Sequence, residues 1–354
     1  MKYRYYHMER RTEYNFSKKH IYGKINDYID LLENPKLSDN KRSIIYEQIS
    51  EFYLQFGNIQ KSSLFLDYAI FADPTSESLY RKKIELYNPE LLPNKLLSVV
   101  IPTFNRCNDL VQCVNNIRRN SVFPIQIVAV CDKSDDGTVD FILEQNEKED
   151  FLGIINDTRL GCILSTKVGF IAAQGDYIAL LNDDVKVMPG WDLEAILTID
   201  EDATAACAAP LVIYPNGTAQ FVGQHSELQS KKHAWIGNVP AFNHSHVYGQ
   251  KLLSLENFLH TRECNYAWFP IIKKECLKQI GYYDDNYRHY YADVDIGYLF
   301  QQHGWQNIFC PTSIIVHYHK SAEELSSVEL HQKGLPDKRY FIKKWGITTP
   351  IDAF

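Results

Sequence analysis

Two adjacent carboxylates follow a short apolar run near the middle of the chain. The run from Tyr177 to Leu181 carries no charge and predicts a strand buried on both faces, and Asn182, Asp183 and Asp184 come directly after it. Ligands of open α/β sheets bind outside the carboxyl ends of the strands, where these side chains would lie. Carboxylates there are suited to holding a divalent cation. A polar turn that begins a helix is the alternative interpretation.

The residues before this run alternate between apolar runs and amphipathic segments. Strands are predicted at 97–101, 125–130, 151–155 and 177–181, and helices near 110–117, 139–143 and 163–173. Pro102 is expected to end the first strand. This βαβαβαβ order predicts an α/β fold with a mostly parallel, Rossmann-like sheet flanked by helices and a ligand crevice at the carboxyl ends of its strands.

The first strand is followed by neither of the common glycine-rich phosphate loops. The sequence contains no Gly-x-Gly-x-x-Gly fingerprint and no Walker-type Gly-Lys-Ser/Thr loop. A phosphate ligand would therefore need cationic side chains or a bridging metal ion.

Composition places the chain among ordinary globular proteins. It has 354 residues, 45% of them hydrophobic and 23% charged, which is enough for two domains. The formal net charge of -7 argues against nucleic-acid binding over the whole surface. Because no apolar stretch approaches the length of a membrane span and the first residues lack the core of a signal peptide, a cytoplasmic protein is expected. The eight cysteines include no Cys-x-x-Cys pair, so neither a zinc site nor a disulfide framework is indicated.

The first 95 residues are rich in Tyr, Lys and Glu and poor in strand-like runs. Pro89 and Pro93 interrupt any helix, so 1–95 is predicted to be an all-α domain and 96–354 the α/β domain. Residues 43–76 have spacings similar to one tetratricopeptide repeat, and a generic helical hairpin is the alternative. One such unit cannot bury its own face, so we expect it to provide support or a protein contact.

The N-terminal segment 1–24 interleaves basic residues with tyrosines. Such a segment can hold a protein at an anionic membrane surface, which adds the inner face of the membrane as a possible location and a peripheral membrane contact through residues 1–95. A solvated helix or a frayed end is the alternative explanation.

Several ordered motifs resemble those of the family 2 glycosyltransferases of GT-A fold. Bacterial transferases that build surface polysaccharides and related glycans are the most similar in appearance. The resemblance runs from residue 96 to about residue 325 and rests on the stretches 98–106, 132–138, 159–161, 175–178, 181–184, 214–223, 280–284 and 293–295.

The resemblance implies a site for a nucleotide-sugar donor. The Asp132 carboxylate would accept a hydrogen bond from a pyrimidine imide N–H while Phe104 packs on the ring, which makes UDP- or dTDP-linked sugars the expected donors. Arg159 and Lys167 would lie near the diphosphate. The expected donor-binding residues are Pro102, Thr103, Phe104, Arg106, Asp132, Arg159, Lys167 and Asp183.

The same resemblance makes Asp184 the last residue of an Asp-x-Asp metal motif that binds Mn²⁺ or Mg²⁺. In related enzymes a histidine after the last core strand completes the metal shell. Both His317 and His319 follow such a run here, and His317 is preferred because it follows the predicted strand directly. Asn182 replaces the first Asp of the motif and removes one ligand charge.

Asp293 matches the general base that takes a proton from the acceptor hydroxyl in an inverting displacement. The alternative is that Asp293 is the N-cap of a helix predicted at 296–302. Asp295 is expected either to brace that helix or to contact the acceptor. Two residues next to expected site residues depart from the family pattern. Ala292, directly before Asp293, stands where Glu or Asn is usual, and Cys131, directly before Asp132, stands where an acidic residue is common.

Aromatic residues offer sugar-binding surfaces on the acceptor side. Trp268, Tyr266 and Trp235 could stack on sugar faces, with core packing as the alternative. Five histidines between residues 224 and 260 have no regular ligand spacing and are interpreted as loop residues, with a metal cluster as the alternative.

These expectations combine into a metal-dependent, inverting glycosyltransferase with a glycan, a lipid-linked glycan or a protein as acceptor, and a role in surface polysaccharide or glycan biosynthesis. The first alternative is a non-catalytic nucleotide-sugar-binding or scaffold protein recruited through its helical domain. A nucleotidyltransferase is a third interpretation, which the lack of a glycine-rich triphosphate loop disfavours.

Overall fold

The computed structural model describes residues 18–223, 249–264, 266–318 and 327–346. The chain divides into two compact units, one up to Pro93 that also takes in Lys251–Ser254, and one with Asn94–Gln250 and the residues from Leu255 onward. A boundary between two domains near residue 95 stays a prediction, and this division lies close to it. No helix in the described ranges is both long and apolar enough to cross a lipid bilayer.

The first unit is helical. Its helices are α1 (Lys18–Leu32), α2 (Asp39–Gln55), α3 (Ile59–Ala72) and α4 (Glu77–Ile84), followed by a short 3-10 helix, Pro89–Leu91. Gly57 turns the chain between α2 and α3 with a φ of 70°, and the Asn58 side chain caps α3 by accepting the Lys61 N–H at 3.1 Å.

Helices α2 and α3 pack closely because small polar residues lie between them. The Ser50 hydroxyl donates to the Ser62 carbonyl at 2.8 Å, and the Ser43 hydroxyl donates to the Ala69 carbonyl at 2.9 Å. Apolar residues around Ile49 complete the core of this helical hairpin. The hairpin matches both interpretations of residues 43–76, and assignment to the tetratricopeptide class stays a prediction.

The second unit contains the sheet. In the described residues its strands are β1 (Leu97–Thr103), β2 (Ile125–Cys131), β3 (Phe151–Ile155), β4 (Tyr177–Leu180), β5 (Val185–Val187), β6 (Ala205–Ile213), β7 (Ala219–Phe221), β8 (Arg262–Cys264), β9 (Ile271–Lys273) and β10 (Gln306–His317). Its helices are α5 (Cys107–Asn120), α6 (Thr138–Gln145), α7 (Cys162–Ala172), α8 (Trp191–Glu201), α9 (Lys274–Gln279), α10 (Ala292–Gln302) and α11 (Ser327–Lys344). A 3-10 segment, Leu252–Phe258, precedes β8.

The strand order is β3-β2-β1-β4-β9-β6-β10-β5, with β7 beside β6 and β8 beside β10. The half formed by β3, β2, β1 and β4 is parallel, and α5, α6 and α7 connect its strands, as the βαβαβαβ pattern predicts. The other half is mixed, since β9 is antiparallel to both β4 and β6 while β10 is parallel to β6. The α/β fold with flanking helices and a helical region before the sheet is confirmed, and the sheet as a whole is mixed rather than mostly parallel.

Strand β1 does not end at Pro102, contrary to expectation, but continues to Thr103. Val100 turns its carbonyl toward the β4 side, where it accepts the Leu181 N–H at 3.0 Å, so Pro102, two residues on, faces that side as well. The pairing with β4 ends at Val100 and Leu180, and no ladder bond is lost where the proline lacks its N–H. The extra residues carry Thr103 to the ligand edge of the sheet.

Candidate active site

Asp184 and His317 meet at the carboxyl edge of the sheet. Asp184 lies between β4 and β5, and His317 is the last residue of β10, which runs antiparallel to β5 and sets His317 opposite Val185. The Nε2 atom of His317 lies 3.4 Å from Oδ1 of Asp184, and both residues are 5% exposed.

The other ring nitrogen of His317 determines its orientation. Nδ1 lies 3.1 Å from the Oε1 atom of Gln220, a residue of β7 that is 0% exposed. The oxygen facing Nδ1 suits the neutral tautomer with its hydrogen on that nitrogen, in which the Nε2 lone pair is directed toward Asp184. Phe269 packs edge-on against the imidazole, with ring centroids 5.1 Å apart. Gln220 lies in the resembling stretch 214–223, but its role depends on a contact between β7 and β10 that spacing does not reveal.

This pair fits one side of a divalent-cation site. A carboxylate oxygen and an imidazole lone pair are both acceptors, so a cation between them suits this geometry better than a hydrogen bond. Among the described residues, no group of three or more His, Cys, Asp or Glu side chains forms a metal site. Mg²⁺ is typically held by one or two protein carboxylates together with substrate phosphates and water, so an incomplete protein shell agrees with a metal shared with a diphosphate.

Asp183 turns away from that pair toward strand β1. Its carboxylate accepts the Thr103 hydroxyl at 2.7 Å. Burial raises the pKa of Asp183 to about 7, the neighbouring charge of Asp184 adds to this, and the Thr103 bond opposes it. Arg106 lies on the other side of Asp184, with its guanidinium 3.9 Å from the Asp184 carboxylate and 3.6 Å from that of Asp109.

Asp132, directly after β2, organises the loop before α7. Its two oxygens accept the backbone N–H groups of Leu160 and Gly161 at 2.7 and 2.9 Å and the Asn156 amide at 3.3 Å. Burial alone would raise the pKa of Asp132, but these hydrogen bonds hold it below its ordinary value. Gly161 has a φ of 87°, in the region that favours glycine, so the turn and the carboxylate together position the start of α7.

The Arg159 side chain contacts both residues that are expected to recognise the pyrimidine, Phe104 and Asp132. Its guanidinium carbon lies 3.3 Å from the centre of the Phe104 ring, and its Nε donates to Asp132 at 3.2 Å. The Arg159 side chain is 53% exposed, so this contact is at the protein surface. In this conformation the ring face and the carboxylate are engaged by the arginine rather than open.

Asp293 lies in the first turn of α10, which begins earlier than expected. The N-cap is Tyr291, in the left-handed region with a φ of 68°, so the interpretation of Asp293 as the N-cap is wrong. Asp293 is partly exposed and accepts the Val294 N–H at 2.9 Å. Burial raises the pKa of Asp293 to about 6, against the effect of that hydrogen bond.

Charged and titratable groups around Asp293 and Cys162 affect the pKa values of their neighbours. Burial raises the pKa of Tyr283, and the charges of Asp293 and Cys162 act in the same direction. Burial also raises the pKa of Cys162 to about 11, with further contributions from Asp183 and Asp132. Cys162, the first residue of α7, is therefore within electrostatic range of Tyr283 and of the carboxylates of Asp183 and Asp132.

Three predicted residues have partners within the domain, namely Lys167, Tyr266 and Trp268. Lys167 pairs with Asp285. Tyr266 is 6% exposed and packs on Phe221, and Trp268 stacks on the same ring with centroids 5.5 Å apart, which corresponds to the core-packing alternative.

Asp295 is 1% exposed and accepts hydrogen bonds from Tyr287, Lys344 and Trp345 at 2.9, 2.7 and 2.8 Å. These three partners brace Asp295 against the start of α10, and an acceptor contact by Asp295 stays a prediction. Of the other candidates, His319, Trp235, the N-terminal segment 1–17 and the histidines at 225, 233, 244 and 246 lie outside the described residues.

The mixed sheet and its flanking helices form an α/β domain of GT-A type. Residues 98–259 match the family model for glycosyl transferase family 2, and this stretch of the chain is a family 2 glycosyltransferase domain. The match ends before Asp293 and His317, so their placement rests on the structure. A search of curated proteins finds no match to the chain.

Solved structures provide distant likenesses. A structure of GalNAc-T7 with UDP, GalNAc and Mn²⁺ is 18% identical, with 65% of this chain and 44% of that chain covered and a TM-score of 0.49. TarS of S. aureus is 15% identical, with 61% and 35% covered and a TM-score of 0.43. The mannosyltransferase PcManGT from Pyrobaculum calidifontis, in complex with GDP-Man and Mn²⁺, is 14% identical, with 72% and 67% covered and a TM-score of 0.46. The chain spans less than half of GalNAc-T7 and of TarS.

Proposed function

We propose that this protein is an inverting, metal-dependent glycosyltransferase that moves a sugar from a UDP- or dTDP-linked donor to a hydroxyl acceptor. The observation that carries the proposal is the buried pair of Asp184 and His317, whose acceptor atoms face each other at 3.4 Å at the ligand edge of a family 2 glycosyltransferase sheet.

On the donor side, Asp184 and His317 would hold Mn²⁺ or Mg²⁺, and Gln220 would favour the imidazole tautomer that this requires. A divalent cation there supplies Lewis-acid stabilisation of the charge that develops on the departing nucleoside diphosphate. Arg106 stabilises the Asp184 carboxylate and adds positive charge at the same edge. Arg159 is the residue that must leave Phe104 and Asp132 when the pyrimidine binds, and its charge is then available to the diphosphate.

On the acceptor side, Asp293 is the general base. The acceptor oxygen attacks the anomeric carbon on the face opposite the diphosphate, the bond from that carbon to the diphosphate oxygen breaks, and the hydroxyl proton passes to the Asp293 carboxylate. One displacement of this kind inverts the configuration at the anomeric carbon. A carboxyl group with a pKa near 6 is a stronger base than an ordinary aspartate and is still ionised at neutral pH.

The acceptor belongs to glycan chemistry in this proposal, as a free glycan, a lipid-linked glycan or a protein side chain, within surface polysaccharide or glycan biosynthesis. The helical unit, with its hairpin of α2 and α3, is proposed to recruit or support a protein partner. A peripheral membrane contact through residues 1–95 and a location in the cytoplasm or at the inner face of the membrane belong to the same proposal.

The alternative is a non-catalytic protein that binds nucleotide sugars. It is favoured by one observation, that Arg159 covers Phe104 and engages Asp132 where the base would bind.

Calorimetric titration of wild type with UDP and dTDP, each with Mn²⁺ and with EDTA, tests the donor site. We expect metal-dependent binding that Asp184→Asn abolishes, whereas Asp150→Asn, directly before β3, retains it. Equal binding with and without Mn²⁺, or unchanged binding by Asp184→Asn, would contradict the proposed metal site.

A further inference from the structure

Helix α11 and Trp345, which directly follows it, contact the segment that carries the proposed base at three places. This segment, residues 284–295, connects Asp284 to the first turn of α10 and includes Asp293. The contacts are made by Asp337, Tyr340, Lys344 and Trp345, and they hold the two ends and the middle of the segment.

The middle contact is a single buried carboxylate. Asp337 is 2% exposed, and its oxygens accept the backbone N–H groups of three consecutive residues, Arg288, His289 and Tyr290, at 3.1, 2.7 and 2.8 Å. Hydrogen bonds to a charged acceptor are stronger than those between neutral groups. They fix the backbone up to Tyr291, whose left-handed conformation directs the chain into α10.

The end contacts share one ammonium group. Lys344 donates to Asp284 at 2.8 Å and to the buried Asp295 at 2.7 Å, so one cation ties the two ends of the segment together. Tyr340 donates to Asp284 at 2.9 Å, and Trp345 donates to Asp295 at 2.8 Å. The segment also approaches the donor side, because the Arg288 carbonyl lies 3.8 Å from the point where a Cβ of Gly161 would be.

We propose that Asp337 and Lys344 are positioning residues for the transfer reaction, which hold the segment 284–295 so that the Asp293 carboxylate reaches the acceptor hydroxyl. This inference rests on the proposed function, since Asp293 must be the base. A base acts only within hydrogen-bond reach of its proton, and a misplacement of about 1 Å can cost about a hundredfold in rate. The C-terminal helix is then part of the catalytic unit, although it lies beyond the family match.

The chain offers a matched control. Asp192 is also a fully buried carboxylate that accepts consecutive backbone N–H groups, those of Val122 and Phe123 at 2.8 and 2.9 Å. Val122 and Phe123 lie just before β2, at the amino edge of the sheet and away from Asp293. Asp192→Asn therefore imposes the same chemical loss without touching the segment 284–295.

The test compares wild type with Asp337→Asn, Lys344→Met, Asp192→Asn and Asp293→Asn, each at a temperature below its own unfolding transition. Saturating turnover is measured as nucleoside diphosphate release from a nucleotide sugar with Mn²⁺, and the Kd for UDP is measured on the same samples. We expect Asp337→Asn and Lys344→Met to lower kcat by about ten- to a hundredfold with an unchanged Kd, and Asp192→Asn to retain the wild-type kcat. In the Asp293→Asn background, Asp337→Asn should lower the residual rate no further.

Two other results separate the claims. If wild type turns over the donor and Asp293→Asn abolishes turnover, but Asp337→Asn and Lys344→Met behave like Asp192→Asn, the inference is wrong and the proposed function stands. If wild type shows no turnover that depends on Asp293, the proposed function fails and the inference fails with it.

Discussion

The Nε2 atom of His317 lies 3.4 Å from Oδ1 of Asp184, although one residue ends strand β10 and the other follows β4. The antiparallel pairing of β10 with β5 creates this contact, and Gln220 keeps the imidazole turned toward the carboxylate. The metal-binding half of the proposed site is therefore built by long-range strand pairing rather than by a local motif.

Gln220→Leu tests whether this orientation matters. The substitution removes the acceptor for Nδ1–H, so the imidazole no longer favours the tautomer with a lone pair at Nε2. Loss of such a supporting partner typically weakens metal binding by about 10- to 100-fold. We expect a loss of that size in Mn²⁺ affinity, measured by electron paramagnetic resonance in the presence of UDP.

Gln126→Leu is the control for this substitution. Gln126 is a mostly buried glutamine of β2 that accepts the Ser98 hydroxyl at 2.6 Å, near the amino ends of β1 and β2. The Mn²⁺ affinity of Gln126→Leu should equal that of wild type. An equal loss in the two variants would show that His317 orientation is not the cause.

The pH dependence of turnover should report Asp293. Because burial raises its pKa to about 6 and the base must be ionised, kcat is expected to be full well above pH 6 and to fall as the pH drops through that value. Turnover is measured from pH 5 to 8 with saturating donor and Mn²⁺.

Asp192 again provides the comparison, because burial raises its pKa to about 6 as well. The acid limb should persist in Asp192→Asn and vanish from the residual rate of Asp293→Asn. An acid limb that stays in Asp293→Asn would assign it to another group.

Arg159→Gln should distinguish binding of the pyrimidine from binding of the diphosphate. Removing the guanidinium opens Phe104 and Asp132 to the pyrimidine but takes a cation from the diphosphate, and a hydrogen bond to a charged group is worth about 1.5–3 kcal/mol. We expect UDP to bind about tenfold or more weakly and uridine to bind at least as tightly as to wild type, by calorimetry.

Arg118→Gln is the control for Arg159→Gln, because it makes the same substitution elsewhere in the domain. Arg118 pairs with Asp150 at 2.7 Å and lies over the Phe151 ring at 5.9 Å. Its loss should leave both affinities unchanged. A parallel loss of UDP and uridine binding in Arg159→Gln would instead make Arg159 part of the base site.

Ile49→Ala tests whether the helical unit folds separately from the transferase domain. Ile49 is 0% exposed in the core of the α2 and α3 hairpin, and truncation of such a side chain costs about 2–5 kcal/mol. The unfolding transition of the helical unit should move to lower temperature in calorimetry while UDP affinity stays constant. Leu54→Ala, at a position 39% exposed on the same helix, should shift the transition little. A single transition that moves as a whole in Ile49→Ala, with loss of UDP binding, would contradict two separate domains.

Local pattern was enough to predict the parallel half of the sheet and the place where its ligand edge lies. Apolar runs and the polar residues that end them identify β1 to β4 and locate Asp132 and Asp184. The proline in β1 was misjudged because its tolerance depends on where the pairing with β4 ends. Nothing in the spacing of residues along the chain reports such a cross-strand register.

Contacts between distant segments account for the rest. The Asp132 carboxylate accepts hydrogen bonds from Leu160 and Gly161. The Asp295 carboxylate accepts hydrogen bonds from Lys344 and Trp345. Both sets form because loops and helices far apart in sequence pack against each other. Asp337 lies in no recognisable sequence motif. Its role can be inferred only from the three backbone N–H groups that donate hydrogen bonds to its carboxylate. A carboxylate in sequence can be a ligand, a base or a brace, and its partners decide which.

Release of nucleoside diphosphate from UDP- and dTDP-sugars by wild type and by Asp293→Asn, each with Mn²⁺ and with EDTA, tests the central claim most directly. The account predicts Mn²⁺-dependent release by wild type, and a loss of about a hundredfold or more in Asp293→Asn, which still binds UDP. Metal-dependent UDP binding without release from any donor, and no difference between wild type and Asp293→Asn, would contradict it and leave a nucleotide-sugar-binding protein.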